Sequence, residues 1–183
     1  LFELFLCHRA EPDGANVVDD YLKRRGWRES PVGRRYLQQL RDSVLSLYEV
    51  VDITPGQHCD VRDLVRGGST IRVHEKSATE GMVKWDRLAA RVVVTNRKYN
   101  FSGGMLPFPH DAASSLLDLL TKAKRRFKKD FAAAGHGKVP ESGAFDTLFL
   151  TTTSLAFVSV WLTHVFDRLH APPPELLNRD GEV

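Results

Sequence analysis

The chain has 183 residues, 42% of them apolar and 27% charged, which excludes a generally disordered chain and leaves room for one domain with a proper core. Two cysteines, Cys7 and Cys59, are too few for a disulfide framework and point to reduced thiols in a cytoplasm. The net charge of +3 is small, but it is unevenly spread.

Residues 1–46 read as helical. Asn16 is placed to cap a short helix that Gly26 stops, and Ser30 followed by Pro31 starts a second one. Val32, Tyr36, Leu40, Val44 and Leu47 recur near the helical period and predict its packed face. From Leu47 the texture changes to alternating β-formers. The segments 47–53, 58–65, 70–74 and 86–95 are separated by Pro55-Gly56, Gly67-Gly68 and Gly81, and 100–106, which contains Gly103-Gly104, reads as a bulged or kinked edge strand. Together they predict a small, bent antiparallel sheet or SH3-like barrel over 47–109. Asp111 is placed to cap a helix running to about Ala134. Leu116, Leu120, Ala123, Phe127 and Phe131 form its apolar stripe, with Lys122, Arg125, Arg126 and Lys129 opposite.

After a loop over 135–143, residues 147–166 pass without a charge, long enough to cross a bilayer. Thr151, Thr152, Thr153, Ser154, Ser159 and His164 dilute that stretch, and no basic cluster adjoins it, so a packed helix is expected and no membrane. Pro172-Pro173-Pro174 ends the helix, and 172–183 reads as the start of a further C-terminal region. The whole is an α+β fold: a helical N-terminal part, a central barrel and two C-terminal helices over 110–171. No internal repeat emerges.

The charge pattern is the main functional lead. Residues 21–41 carry seven basic residues and one acid, and residues 122–129 carry six basic residues and none. Together these 29 residues hold +12, leaving −9 for the other 154. Clustering of this kind is the footprint of a surface that meets a polyanion, and the alternative is a pair of solvated helix faces balanced within the fold. Tyr21, Trp27 and Tyr36 interleave with Lys23, Arg24, Arg25, Arg28, Arg34 and Arg35, a mixture suited to phosphates and stacked bases, although Tyr36 also fits the helix's packed face. The expected partner is a nucleic acid or an acidic protein surface. A scaffolding domain and an enzyme with an unrecognised site are the competing readings.

Other constellations are weaker. Cys7-His8 and His58-Cys59 have zinc-type ligands, but adjacent residues diverge and the spacing is wrong, so no metal is expected. No cofactor is expected either, because no phosphate-cradling glycine motif is present. A thiol nucleophile at Cys59 needs geometry that adjacency to His58 rarely supplies. Asp60, Asp63, Glu75, Glu80 and Asp86 lie near strand ends without a distinguishable pair. His164 and Asp167 share a helical face, as a hydrogen-bonded core histidine would.

Gly26-Trp27, Tyr36-Leu37, Ser46-Leu47-Tyr48-Glu49-Val50, Pro55-Gly56, Arg62-Asp63-Leu64 and Trp85-Asp86-Arg87-Leu88-Ala89-Ala90-Arg91-Val92 form a series of matches across 21–109, with Asn178 to Glu182 near the end. In these the chain resembles uncharacterised bacterial proteins that often carry a SEC-C motif, a small cysteine-rich zinc module. The resemblance implies a bacterial, cytoplasmic protein and carries over no catalytic residues. The clustered cysteines of a SEC-C motif do not occur in this sequence.

Overall fold

The structure, a computed structural model, describes residues 6–7, 16–134 and 142–171. The expectations for His8, most of the 135–143 loop, and the 172–183 segment fall outside these residues. Helix α1 spans Val17–Arg25, a 3-10 turn spans Gly26–Arg28, and α2 spans Pro31–Asp42. Both starts are capped as the sequence requires. The Asp19 amide donates to Asn16 Oδ1 at 2.9 Å while the Asn16 amide donates to Asp19 Oδ2 at 3.1 Å, and the Gly33 amide donates to Ser30 Oγ at 3.0 Å.

The packed face of α2 is narrower than its periodicity implied. Leu40 is buried and Tyr36 half-buried, with the Tyr36 hydroxyl donating to the Ser102 carbonyl at 2.8 Å. Val32 is instead 62% exposed, and α2 ends before Val44. At Ser43 the backbone turns extended, and its amide and hydroxyl both donate to the Leu40 carbonyl. Val44 and Leu47 are buried, but on the approach to and within the first strand.

Six strands follow: β1 Leu45–Thr54, β2 His58–Asp63, β3 Ile71–His74, β4 Arg87–Thr95, β5 Lys98–Phe101 and β6 Leu106–Phe108. The order β1-β2-β3-β5-β4 closes through a β1–β4 pairing, giving a five-stranded barrel with β6 added at β4. The antiparallel pairing expected from the sequence holds at every seam but one. β3 runs parallel to β5, with Val73 opposite Tyr99, because the chain crosses the barrel between β3 and β4 before the β4–β5 hairpin brings it back. This is the strand order of an OB-type Greek-key barrel.

β1 serves two neighbours: its first half pairs with β4 and its second with β2. A bulge between Val50 and Asp52 bends it to do so. Beside the bulge, Trp85 is held at φ +77, its amide donating to the Val50 carbonyl while the Val50 amide donates to the Asp86 carbonyl, both at 2.8 Å. The β4–β5 hairpin turns on Asn96 and Arg97, both at positive φ, as a two-residue hairpin loop needs.

Two hydrophobic cores result. Inside the barrel lie Tyr48, Val50, Cys59, Val61, Val73, Leu88, Ala90 and Phe101. Outside it, Leu45, Leu47 and Ala89 on the barrel wall and Phe108 of β6 meet helices α3, His110–Ala133, and α4, Ser142–His170. Alternation along β1 and β4 feeds both cores at once. The residue before α3 is Pro109, with no side-chain cap, so Asp111 lies inside the first turn and does not cap it. In α3, Leu116 and Leu120 are buried, while Phe127 and Phe131 are half-buried against Phe145. The edge strand β6 contains Pro107, whose carbonyl accepts the Trp161 Nε1–H at 3.0 Å.

In α4 only the first half is a core helix. Phe145, Phe149, Leu150, Ser154, Phe157 and Val158 are buried, but no residue from 159 to 170 is. The hydroxyls bond back as such residues do: Thr147 to the Gly143 carbonyl, Thr151 to Thr147, and Thr152 and Thr153 to Phe149, all at 2.8–2.9 Å. By length and composition, residues Gly143–His170 would also cross a bilayer.

Candidate polyanion-binding surfaces

Every cation expected to meet a ligand is exposed: Lys23, Arg24, Arg25, Arg28, Arg34 and Arg35 in the first segment, Lys122, Arg125, Arg126 and Lys129 in the second. The first segment is organised by Arg34. Its Nε and one terminal nitrogen donate to the Gly26 carbonyl at 3.0 and 2.8 Å, drawing α2 against the turn that carries Trp27. Trp27 is 70% exposed, with the Arg28 guanidinium 4.9 Å from its ring centroid. Arg24 is tied to Asp20 at 2.7 Å on the same helix face. The Tyr21 hydroxyl donates to Glu29 Oε1, and that hydrogen bond raises the phenol's pKa.

The second segment lies on the far half of α3. Lys124 turns the other way from its neighbours and pairs at 2.6 Å with Asp146, a buried carboxylate of α4. Arg126 is 3.8 Å from Asp130, both widely exposed, a pairing of small energetic weight. Lys122, Arg125, Lys128 and Lys129 complete an exposed cationic face. No hydrogen bond or ion pair among the described residues links the two segments, and they sit in different layers, one on the α1–α2 turn and one on α3 beside the start of α4.

The barrel wall contrasts with both. On its outer face Glu49, 6% exposed, accepts from Arg62 at 2.6 Å and faces Arg87 at 3.3 Å, each directly across from it in register. Asp60 pairs with Arg72 at 2.8 Å, and that guanidinium holds the carboxyl below its usual range. Asp63 accepts from Ser46, Arg66 and two backbone amides. Glu75 accepts from the Ala78 amide, and Asp86 from the Val83 amide. These acids build turns and ladders. Arg62, Arg72 and Arg87 are neutralised by them and differ from most of the helical cations in that respect.

Cys59 and His58 fall on opposite faces of β2. Cys59 is buried in the barrel, where burial pushes its thiol up to about 11, while His58 lies outside with its ring centroid 6.2 Å from that of His74. Such a thiol is not a nucleophile near neutral pH. Cys7 is buried and donates to the Leu40 carbonyl at 3.4 Å. The described residues hold no group of three or more metal-ligating side chains. His164 faces Asp111 of α3 at 3.8 Å, not Asp167, which is exposed; the approach of α3 decides this, and sequence spacing could not. Its Nε2 is buried without a hydrogen-bond partner.

Two features escaped the sequence reading. Trp85 is exposed, with Lys84 Nζ 5.2 Å from its ring, a second cation–aromatic pair that only its left-handed backbone presents. The other is the spacing of the α4 leucines, plain in the sequence once counted in sevens: Leu148, Leu155, Leu162 and Leu169. Comparison with curated proteins and with solved structures found no match. Residues 1–134 do match a family model, from the first helices through the barrel to the end of α3, and the chain therefore belongs to the family of unknown function DUF7986.

Proposed function

We propose that this domain is a non-catalytic binding module for a polyanion, with single-stranded nucleic acid the ligand its chemistry fits best. The observation that carries the reading is the cationic face of α3. Lys122, Arg125, Arg126, Lys128 and Lys129 face solvent within eight residues, flanked by the exposed Asp118 and Asp130. Trp27, open and flanked by Arg28, adds a stacking surface at the α1–α2 turn. OB-type barrels elsewhere carry oligonucleotides across strands 2 and 3. Here that wall is occupied by the Asp60–Arg72 and Glu49–Arg62 pairs, so the helices are the better candidates.

The test is equilibrium binding of a labelled single-stranded RNA and a duplex over a salt series. Affinity should fall steeply with salt, because each neutralised phosphate releases counterions. Arg125→Glu with Arg126→Glu should weaken all sequences alike and flatten the salt slope, whereas Trp27→Ala should weaken single strands more than duplex. Absence of binding even at low salt would leave the cations as a solvated face.

A further inference from the structure

We propose that α4 joins two copies of this chain into a parallel, in-register coiled coil through Leu148, Leu155, Leu162 and Leu169. The four leucines recur every seven residues, the spacing that keeps a stripe on one side of a pair of supercoiled helices. Three of them are exposed on the side of α4 away from the domain, and Leu162 is half-buried. Leu155 is 56% and Leu169 72% exposed, and Leu148 is also exposed. The opposite side, carrying Leu150, Phe157 and Trp161, packs on the barrel wall and α3. One helix thus has two apolar faces, and the domain covers one. From Leu148 to Leu169 the stripe runs about 32 Å at 1.5 Å per residue, three heptads.

The occupant follows from what lies along the stripe. With the leucines at d, the a positions are Thr152, Ser159 and Phe166, all exposed. Parallel in-register pairing stacks leucine on leucine, hydroxyl on hydroxyl and phenyl on phenyl, whereas antiparallel pairing sets leucines against Thr152 and Ser159. Between Leu148 and Leu169 the flanking e and g positions are Phe149, Thr151, Ala156, Val158, Thr163 and Val165. None carries a charge, so identical copies meet without repulsion; Phe149 and Val158 are buried on the domain side of the seam. Asp167 and Arg168 fall outside the seam. Leu at d with a β-branched residue at a favours two strands, and Thr152 supplies one such a position. A bilayer would have to surround the helix, and that would unpack Phe149 and Phe157 from the core.

Sedimentation equilibrium of the chain in detergent-free buffer should give twice the chain mass. Leu155→Glu with Leu169→Glu should return it to the single mass with unchanged circular dichroism, since both side chains are exposed within one copy. Thr152→Cys, a position that meets its own counterpart only in the parallel register, should form an intermolecular disulfide on mild oxidation. A wild-type chain that stays monomeric at every concentration overturns the proposal, as does a dimer that survives both glutamates. A dimer without the Thr152→Cys cross-link overturns the register. Liposome recruitment of a monomeric wild type, lost in the glutamate variant, would assign the stripe to a lipid surface instead.

Discussion

The barrel interior and the helical layer bury the same kinds of side chain by different means. The barrel closes on itself, so each inward residue from Tyr48 to Phe101 is sealed by strands, and on the wall away from the helices Glu49 and Asp60 are paired with strand arginines. The helical layer rests on one wall only. Leu47, Ala89 and Phe108 meet α3 and α4 there, and the far sides of both helices are left to solvent. On α3 that far side is cationic and on α4 it is leucine-rich. Closure leaves a barrel little spare surface, whereas stacking helices against one wall necessarily exposes a second face of each.

Substitutions on the two faces of α4 should separate them most sharply. Phe157→Ala removes a fully buried ring and should cost about 3–5 kcal/mol by chemical denaturation. Leu155→Ala, two residues away on the opposite face, should cost within about 0.5–1 kcal/mol in a single copy, so near-equal losses would break the two-face description. Phe127→Ala, at a half-buried ring touching Phe131, Phe145 and Phe149, should fall between them at about 2 kcal/mol.

The barrel interior offers a pH test that the helical layer does not. Burial raises Cys59 from 9.0 to about 11 and Tyr48 from 10.0 to about 12, so the folded state disfavours both anions. Groups raised in this way contribute stability that is complete below their unfolded pKa and is lost as pH climbs to the folded one. Stability should therefore decline above about pH 9 and continue to fall toward pH 12, with a shallower decline in Cys59→Ala. A flat profile across that range would show that the thiol is hydrated. The smallest effect is expected on the cationic face: Arg125→Glu should leave thermal stability nearly unchanged, within about 0.5 kcal/mol, since the side chain is exposed and has no bonding partner among the described residues.

Much of the fold was legible because local chemistry and tertiary structure agreed. Asn16 and Ser30 cap the helices they precede, the turn glycines separate the strands, and Leu116 and Leu120 lie on the face their period chose. The reading failed where a helical period ran on into a strand, as at Val44 and Leu47, since periods of 3.6 and 2 coincide over a few residues. It also failed at His164, whose partner Asp111 is 53 positions away and is supplied by α3. The candidate cations were legible as charge, and their exposure followed from the same helical geometry.

The sequence by itself determined which segments are helical, where strands alternate, that the cations cluster in two places, and that leucines recur in sevens on α4. Such properties depend on backbone periods and on residues a few positions apart. Only the tertiary structure decided that β3 meets β5 in parallel, that Glu49 would be held between Arg62 and Arg87, and that Cys59 points inward away from His58. It also decided which face of α4 the domain covers. An amphipathic pattern specifies that a face will be buried, but a helix apolar on two sides has no local preference between them, and the barrel wall selects one by packing against it.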